Sequence, residues 1–276
     1  MKKIALTICV LAAATFAFTS CEKNRMETLF VEMETATDGS KAHMDENTHK
    51  PMLVTGDSAY VNDGIFGFNF ENGNPILKVN HASDNVYRAI FPANIVNTTG
   101  NIAHTDNVDV IIPNNQNYSI ENGVQKVDMP MISYPLGNAL WFRNICSLVK
   151  VNVTNVANEP IELSYIQVSN NLVGESGNGS VYLSGNTRVN VASSEPVITV
   201  DNGQFRYVQL NLNGHPDATL AAGQTGSYYL IVAPFTNATQ GVNIRVGSTT
   251  RFNDLPLDNV TSLARNTIAV VNFNFN

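Results

Sequence analysis

Leu140-Trp141-Phe142-Arg143-Asn144-Ile145-Cys146-Ser147-Leu148-Val149-Lys150-Val151-Asn152-Val153 is the strongest β run in the chain. Aromatic and β-branched residues dominate it, polar residues interrupt it singly, and no helical stripe passes through it. That pattern predicts an interior strand. Cys146, in the middle of the run, is expected as a small buried hydrophobe rather than a nucleophile.

Similar short runs extend outward in both directions. Downstream they cover residues 161–168, 197–200, 205–212, 228–232, 242–246 and 268–275. Upstream, Leu29, Val31 and Met33 alternate with Phe30, Glu32 and Glu34, and further runs cover residues 59–61, 66–70 and 86–91. The turns between them hold Asn62-Asp63-Gly64 and Glu71-Asn72-Gly73, which supply the positive backbone dihedrals of tight hairpins. Residues 37–52 are polar and are expected to form an exposed loop. The predicted fold class is therefore all-β, with strands spaced as in β-sandwiches. An Asn- and Pro-rich stretch at residues 112–124 leads to a domain boundary expected near Gly137. This divides the chain into residues 21–136 and 137–276, after a signal at residues 1–20.

The signal is predicted from Met1-Lys2-Lys3, an apolar run over residues 4–18, and Phe18-Thr19-Ser20-Cys21. The run falls short of the roughly 20 residues that span a bilayer. A cysteine at the expected cut points to lipidation of Cys21 and a membrane-anchored protein, and two or more acyl chains hold such a protein stably. Removing residues 1–20 takes away Lys2 and Lys3 and no acid, so the net charge of −7 becomes −9. An acidic surface of this kind argues against nucleic acid and anionic membrane surfaces as partners. Charged residues make up 14% of the chain, below the typical ~25%, which suits an exported β protein. Without Cys9 and with Cys21 lipidated, Cys146 has no disulfide partner, so packing must hold the fold.

Motifs for chemistry are sparse. His43, Asp45, Glu46 and His49 are clustered, but their spacing fits no metal-binding pattern better than a solvated loop. Asp106, Asn107 and Asp109 lack the glycine and distal glutamate of a calcium loop, so a plain turn is expected. There is no phosphate-cradling loop, nucleophile elbow or paired-cysteine motif, and no catalytic residue, metal or cofactor is expected. The Gly174–Gly179 segment is expected to be a flexible hairpin. Trp141, Tyr134, Tyr182, Tyr207, Tyr228 and Tyr229 would form a carbohydrate platform if they shared an exposed face; packing between strands is the competing reading. A hydrolase is the least supported class.

The order of these pieces resembles the fimbrillin-like lipoproteins of Bacteroidales, the subunits of type V pili. The resemblance rests on Cys21 followed by Glu22-Lys23-Asn24, the strand at residues 29–33, Ser40-Lys41-Ala42 and Gly56-Asp57. It continues through Tyr87-Arg88-Ala89-Ile90-Phe91-Pro92, Pro130-Met131-Ile132-Ser133, the run from Leu140 to Val151, and the strand before Pro234. It implies two tandem transthyretin-like (immunoglobulin-like) β-sandwich domains on the bacterial outer membrane and cell surface. It also implies a structural subunit or adhesin of a fimbrium. Proteolysis then removes the first strand, and a donor strand from another subunit fills the groove, giving a head-to-tail polymer. Lys41 and Lys50 are the implied cleavage residues, with Arg25 a third candidate, although the family's preferred Arg is absent from residues 37–52. Ile268, Val271, Phe273 and Phe275 mark the implied donor strand; the alternative is that this run closes the molecule's own sheet. Implied partners are other pilus subunits, the outer membrane and a host or bacterial surface ligand. The alternative function is a surface-anchored, glycan-binding lipoprotein.

Overall fold

The computed structural model describes residues 25–34, 53–98, 100–121, 123–136, 139–170, 181–192, 194–201 and 204–276, and no α-helix occurs among them. The first strands are β1 (Met26–Met33), β2 (Ser58–Val61), β3 (Gly64–Glu71), β4 (Asn74–Asn80) and β5 (Ala89–Phe91). They are followed by β6 (Asn107–Ile112), β7 (Asn115–Asn117), β8 (Ile120–Glu121), β9 (Val124–Gln125), β10 (Met131–Leu136) and β11 (Ala139–Asn144). Next come β12 (Ser147–Asn155), β13 (Ile161–Asn170), β14 (Gly185–Asn190), β15 (Val197–Val200) and β16 (Tyr207–Asn211). The last five are β17 (Thr219–Leu220), β18 (Thr225–Val232), β19 (Val242–Ser248), β20 (Phe252–Leu257) and β21 (Ile268–Phe275).

Seven strands close on themselves in the order β1-β11-β10-β5-β2-β3-β4. Their inward residues, among them Leu29, Ala59, Phe68, Leu77, Phe91, Met131, Leu140 and Phe142, make one core. The β3–β4 hairpin turns at Asn72 and Gly73, both with positive φ (52° and 80°), as that pair of residue types predicts.

The second half builds two facing sheets, β18-β12-β21 and β20-β19-β13-β16-β7, the latter joined at its edge by β7 from the first half. Val149, Val151 and Val153 of β12 point inward with Tyr228, Leu230, Phe273 and Phe275 to meet Leu163, Ile166, Val208, Ile244 and Val246 of the opposite sheet. A third core lies between the halves. It joins Ile90, Val108, Val110 and Ile132 to Ile145, Cys146, Leu148, Val189, Ile231 and Ile268.

Three expectations need correction. Residues 140–153 are two strands, not one: β11 belongs to the closed sheet, the chain leaves it at Ile145 and Cys146, and β12 opens the next sheet. The break is held by tertiary bonds, with Asn144 N–H donating to Glu34 and Ser147 Oγ donating to the Ala264 carbonyl, 2.6 Å. The run at residues 86–91 shortens to β5. Asp106, Asn107 and Asp109 do not form a turn: Asn107 and Asp109 lie in β6, which pairs antiparallel with β14, and Asp109 receives Arg188 Nε at 2.9 Å. Gly137 lies outside the described residues, in the connection between β10 and β11, two neighbours in one sheet.

Edge strand β18 carries an unusual form of protection. Gln125 donates to the Tyr229 carbonyl at 2.8 Å and accepts the Tyr229 N–H at 2.9 Å. Gln116 does the same two residues on, donating to the Ile231 carbonyl at 2.7 Å and accepting its N–H at 2.9 Å. Each side-chain amide thus stands in for a peptide group of a neighbouring strand, which denies that edge to another chain.

Candidate functional site, the seat of the first strand

β1 lies between two strands that are distant from it in sequence. It runs antiparallel to β4, with Leu29 opposite Leu77, and parallel to β11, with Val31 opposite Leu140. Leu29 and Val31 are buried, whereas Met26 and Phe30 are exposed. Without β1, the ring would open into a groove lined by Leu77, Val79, Leu140 and Phe142, with unpaired backbone on both rims.

The residue after β1 fixes its end. Glu34 N–H donates to the Phe142 carbonyl at 2.8 Å. Its carboxylate accepts the Asn144 N–H at 3.0 Å and the Arg265 guanidinium at 2.6 and 3.2 Å. Arg143 Nε lies 3.0 Å from Glu34 Oε1 as an ion pair, and its Nη2 bonds Glu195. Arg265 also reaches Glu195 at 2.7 Å and donates to the Asn144 carbonyl at 2.6 Å. The Trp141 ring lies under the Arg143 guanidinium, 4.4 Å from its centroid.

Two cations and two anions balance here, but the anions are not equivalent. The Glu34 side chain is 13% exposed and Arg143 7%, whereas Glu195 is 65% exposed. Glu34 is therefore the inner anion. Its removal would leave a buried guanidinium facing only a solvated partner, a costly state. Bonding from Arg143 holds the Glu195 carboxyl below its usual range. For Arg265, burial lowers the pKa, and Glu34 with Glu195 more than offsets that, so the guanidinium is held above its ordinary value.

Of the candidate cleavage residues, Arg25 is exposed just before β1. Its side chain pairs with Glu27 at 3.2 Å, and its carbonyl accepts the His81 N–H. Lys41, Lys50 and Cys21 lie outside the described residues, as do the His43, Asp45, Glu46 and His49 cluster and residues 174–179. Ile268, Val271, Phe273 and Phe275 sit in β21, which pairs parallel with β12 from Leu148↔Ile268 to Asn155↔Phe275. Phe273 and Phe275 fill the core beside it, Val271 packs against that core, and Ile268 joins the core between the halves.

The aromatic residues do not converge. Tyr134 and Trp141 face each other across β10 and β11, Tyr207 accepts Asn114 Nδ2 at 3.1 Å in another sheet, and Tyr228 is buried against Tyr118. Cys146 is fully buried, and burial pushes its thiol pKa up, away from nucleophilic use. Among the described residues no group of three or more His, Cys, Asp and Glu side chains is placed to hold a metal. Sequence reasoning missed the Glu34, Arg143, Arg265 and Glu195 cluster. Its one signal was Arg143, a charge inside an apolar run that can be buried only with a partner.

No family model matches the chain, and no curated protein does. Among solved structures, a candidate cell adhesion protein from Bacteroides ovatus aligns over 91% of this chain and 92% of its own, with 11% identity and a TM-score of 0.51. A second, from Bacteroides uniformis, covers 91% and 93% with 13% identity and a TM-score of 0.51. The tip fimbrial protein Mfa3 of Porphyromonas gingivalis, truncated at its C-terminus, aligns over 90% and 94% at a TM-score of 0.34, too loose for a shared fold to be read from it. At these identities the likeness to the two Bacteroides proteins is one of fold: the chain shares their all-β architecture along most of its length.

Proposed function

We propose that this chain is a cell-surface adhesion or fimbrial subunit, exported as a lipoprotein through Cys21 and activated by the loss of β1. The observation that carries the reading is the position of β1. It is the strand nearest the signal, it closes a ring through two ladders, and residues 37–52 follow it with Lys41 and Lys50. Cutting there frees a strand that can leave without threading through the rest of the molecule. The groove left behind accepts an extended strand from another subunit, and repetition of that step gives a head-to-tail assembly. In this reading the two halves are tandem transthyretin-like sandwiches, with the chain passing from one to the other at Ile145 and Cys146. The fold likeness to the Bacteroides cell adhesion proteins supports the adhesive role, and the low share of charged residues accords with an exported β protein.

As a donor, β21 acts by exchange. Its ladder to β12 is given up in one subunit and replaced by ladders to β4 and β11 of the next. The test is to fold the full chain, cut it at Lys41 or Lys50 with a lysine-specific protease, and follow mass by sedimentation. Assemblies form from the cut chain and not from the Lys41→Ala, Lys50→Ala double variant. A cut chain that has released β1 and still sediments as a monomer with every added subunit overturns the reading.

A further inference from the structure

Glu34 directly follows β1, and its N–H still bonds the Phe142 carbonyl of β11. It is the residue after the last inward-facing side chain of the strand, and it carries the charge that two buried or half-buried arginines share. We propose that Arg143, Arg265 and the Asn144 N–H form a carboxylate-binding site that is part of the β1 groove. A strand replacing β1 then binds more tightly when it supplies a carboxylate at this point. This rests on the exchange reading above and adds the chemistry of the partner: an extended segment whose last inward apolar residue is followed directly by Glu or Asp.

The geometry is that of a built anion site. Three donors converge on the Glu34 carboxylate: Arg265 Nη1 at 2.6 Å, Arg265 Nη2 at 3.2 Å and Asn144 N at 3.0 Å. Arg143 Nε adds its charge at 3.0 Å and makes no hydrogen bond of its own. Paired, planar donors of this kind match a carboxylate better than a neutral amide. The exposed Glu195 already bonds both arginines, so it offers no spare buried anion when Glu34 is withdrawn.

A strand that copies β1 places inward residues where Leu29, Val31 and Met33 lie, then the acid. In β21 the register that keeps Val271, Phe273 and Phe275 inward sets the Asn276 side chain, an amide, at the Glu34 position.

Two measurements on the full chain test this. In the first, Glu34→Gly and the isosteric Glu34→Gln are melted with increasing acetate or with chloride at equal ionic strength. Acetate raises the melting temperature of Glu34→Gly saturably and above chloride, and Arg265→Met added to Glu34→Gly abolishes the difference. Equal effects of acetate and chloride overturn the carboxylate site; if Glu34→Gly does not fold, a Glu34→Gln chain as stable as the parent does so.

In the second, the folded chain is cut once at a recognition sequence inserted within residues 37–52 and offered labelled peptides whose C-termini are amidated. A peptide of residues 26–34 binds at least about tenfold more tightly than its Glu34→Gln form, since an unpaired buried charge is strongly disfavoured. A peptide of residues 267–276 gains similarly from Asn276→Glu. Equal binding of each acidic and neutral pair overturns the proposal. Failure of every peptide to bind instead overturns the exchange reading, and the acetate comparison still decides the anion site.

Discussion

Replacing Leu29 by Ala tests whether β1 is held mainly by its inward side chains. Leu29 is 2% exposed, lies directly across from Leu77, and shares its core with Phe68, Leu140 and Phe142. Deleting three buried carbons costs their transfer energy plus that of the cavity left behind. For Leu→Ala this is about 2–5 kcal/mol, and a single strand that can settle inward places it at about 2–4 kcal/mol. Phe30, one residue on, is 48% exposed, so Phe30→Ala should change stability by no more than about 0.5 kcal/mol. The assay is urea unfolding followed by fluorescence of Trp141, the single tryptophan, which stands on β11 opposite Glu32 of β1. A fall in midpoint at unchanged slope reports lost stability rather than a changed end state. The reasoning is refuted if Leu29→Ala costs under about 1 kcal/mol, or if Phe30→Ala costs as much.

Three further outcomes are expected. Replacing Gln116 and Gln125 by Ala removes the side-chain amides that bond the Tyr229 and Ile231 backbone groups of edge strand β18; it should cost about 1–2 kcal/mol per side chain and produce self-association by sedimentation, and a monomer of unchanged stability would remove the surrogate-strand reading. In a Cys9→Ser, Cys21→Ser chain, the Cys146 thiol should react with a disulfide reagent only in denaturant, since it is buried and its pKa is raised; rapid labelling of the native chain would contradict its place in the core. The carboxyls of Glu195 and Asp254 have depressed pKa values, each first through a side-chain hydrogen bond, from Arg143 and Arg245 respectively. A depressed carboxylate contributes stability that is present above its ordinary pKa and lost as pH falls through the folded value. Urea midpoints should therefore decline below about pH 4.5, less steeply in Asp254→Asn, and a flat profile from pH 5 to 3 would refute this.

Alternation made β1, β19 and β21 legible in the sequence, and β21 has the very bounds its pattern predicts, because its neighbours leave inward and outward residues chemically distinct. β6 and β14 were not legible. Asp109 and Arg188 give each a charged, loop-like surface, and the two charges make sense only once the strands pair with each other. The break at Ile145 and Cys146 was hidden for the opposite reason: both residues are apolar because they enter the core between the halves, so composition does not change where the chain changes sheets. The arginine cluster joins Glu34 to Arg265 across 231 residues, a separation at which no local pattern carries a signal.

The pairing of β12 also sets the tempo of folding. Its neighbours are β18, beginning with Ser147↔Val232, and β21, where Leu148 meets Ile268, 120 residues later. β12 thus has no ladder partner until distant segments have been synthesised. Contacts at such range must first meet the entropy of closing a long loop, which makes sheets of this kind slow to form. Until then Leu148, Val149, Val151 and Val153 remain available to solvent and to chaperones. That interval is when the chain is most prone to aggregate.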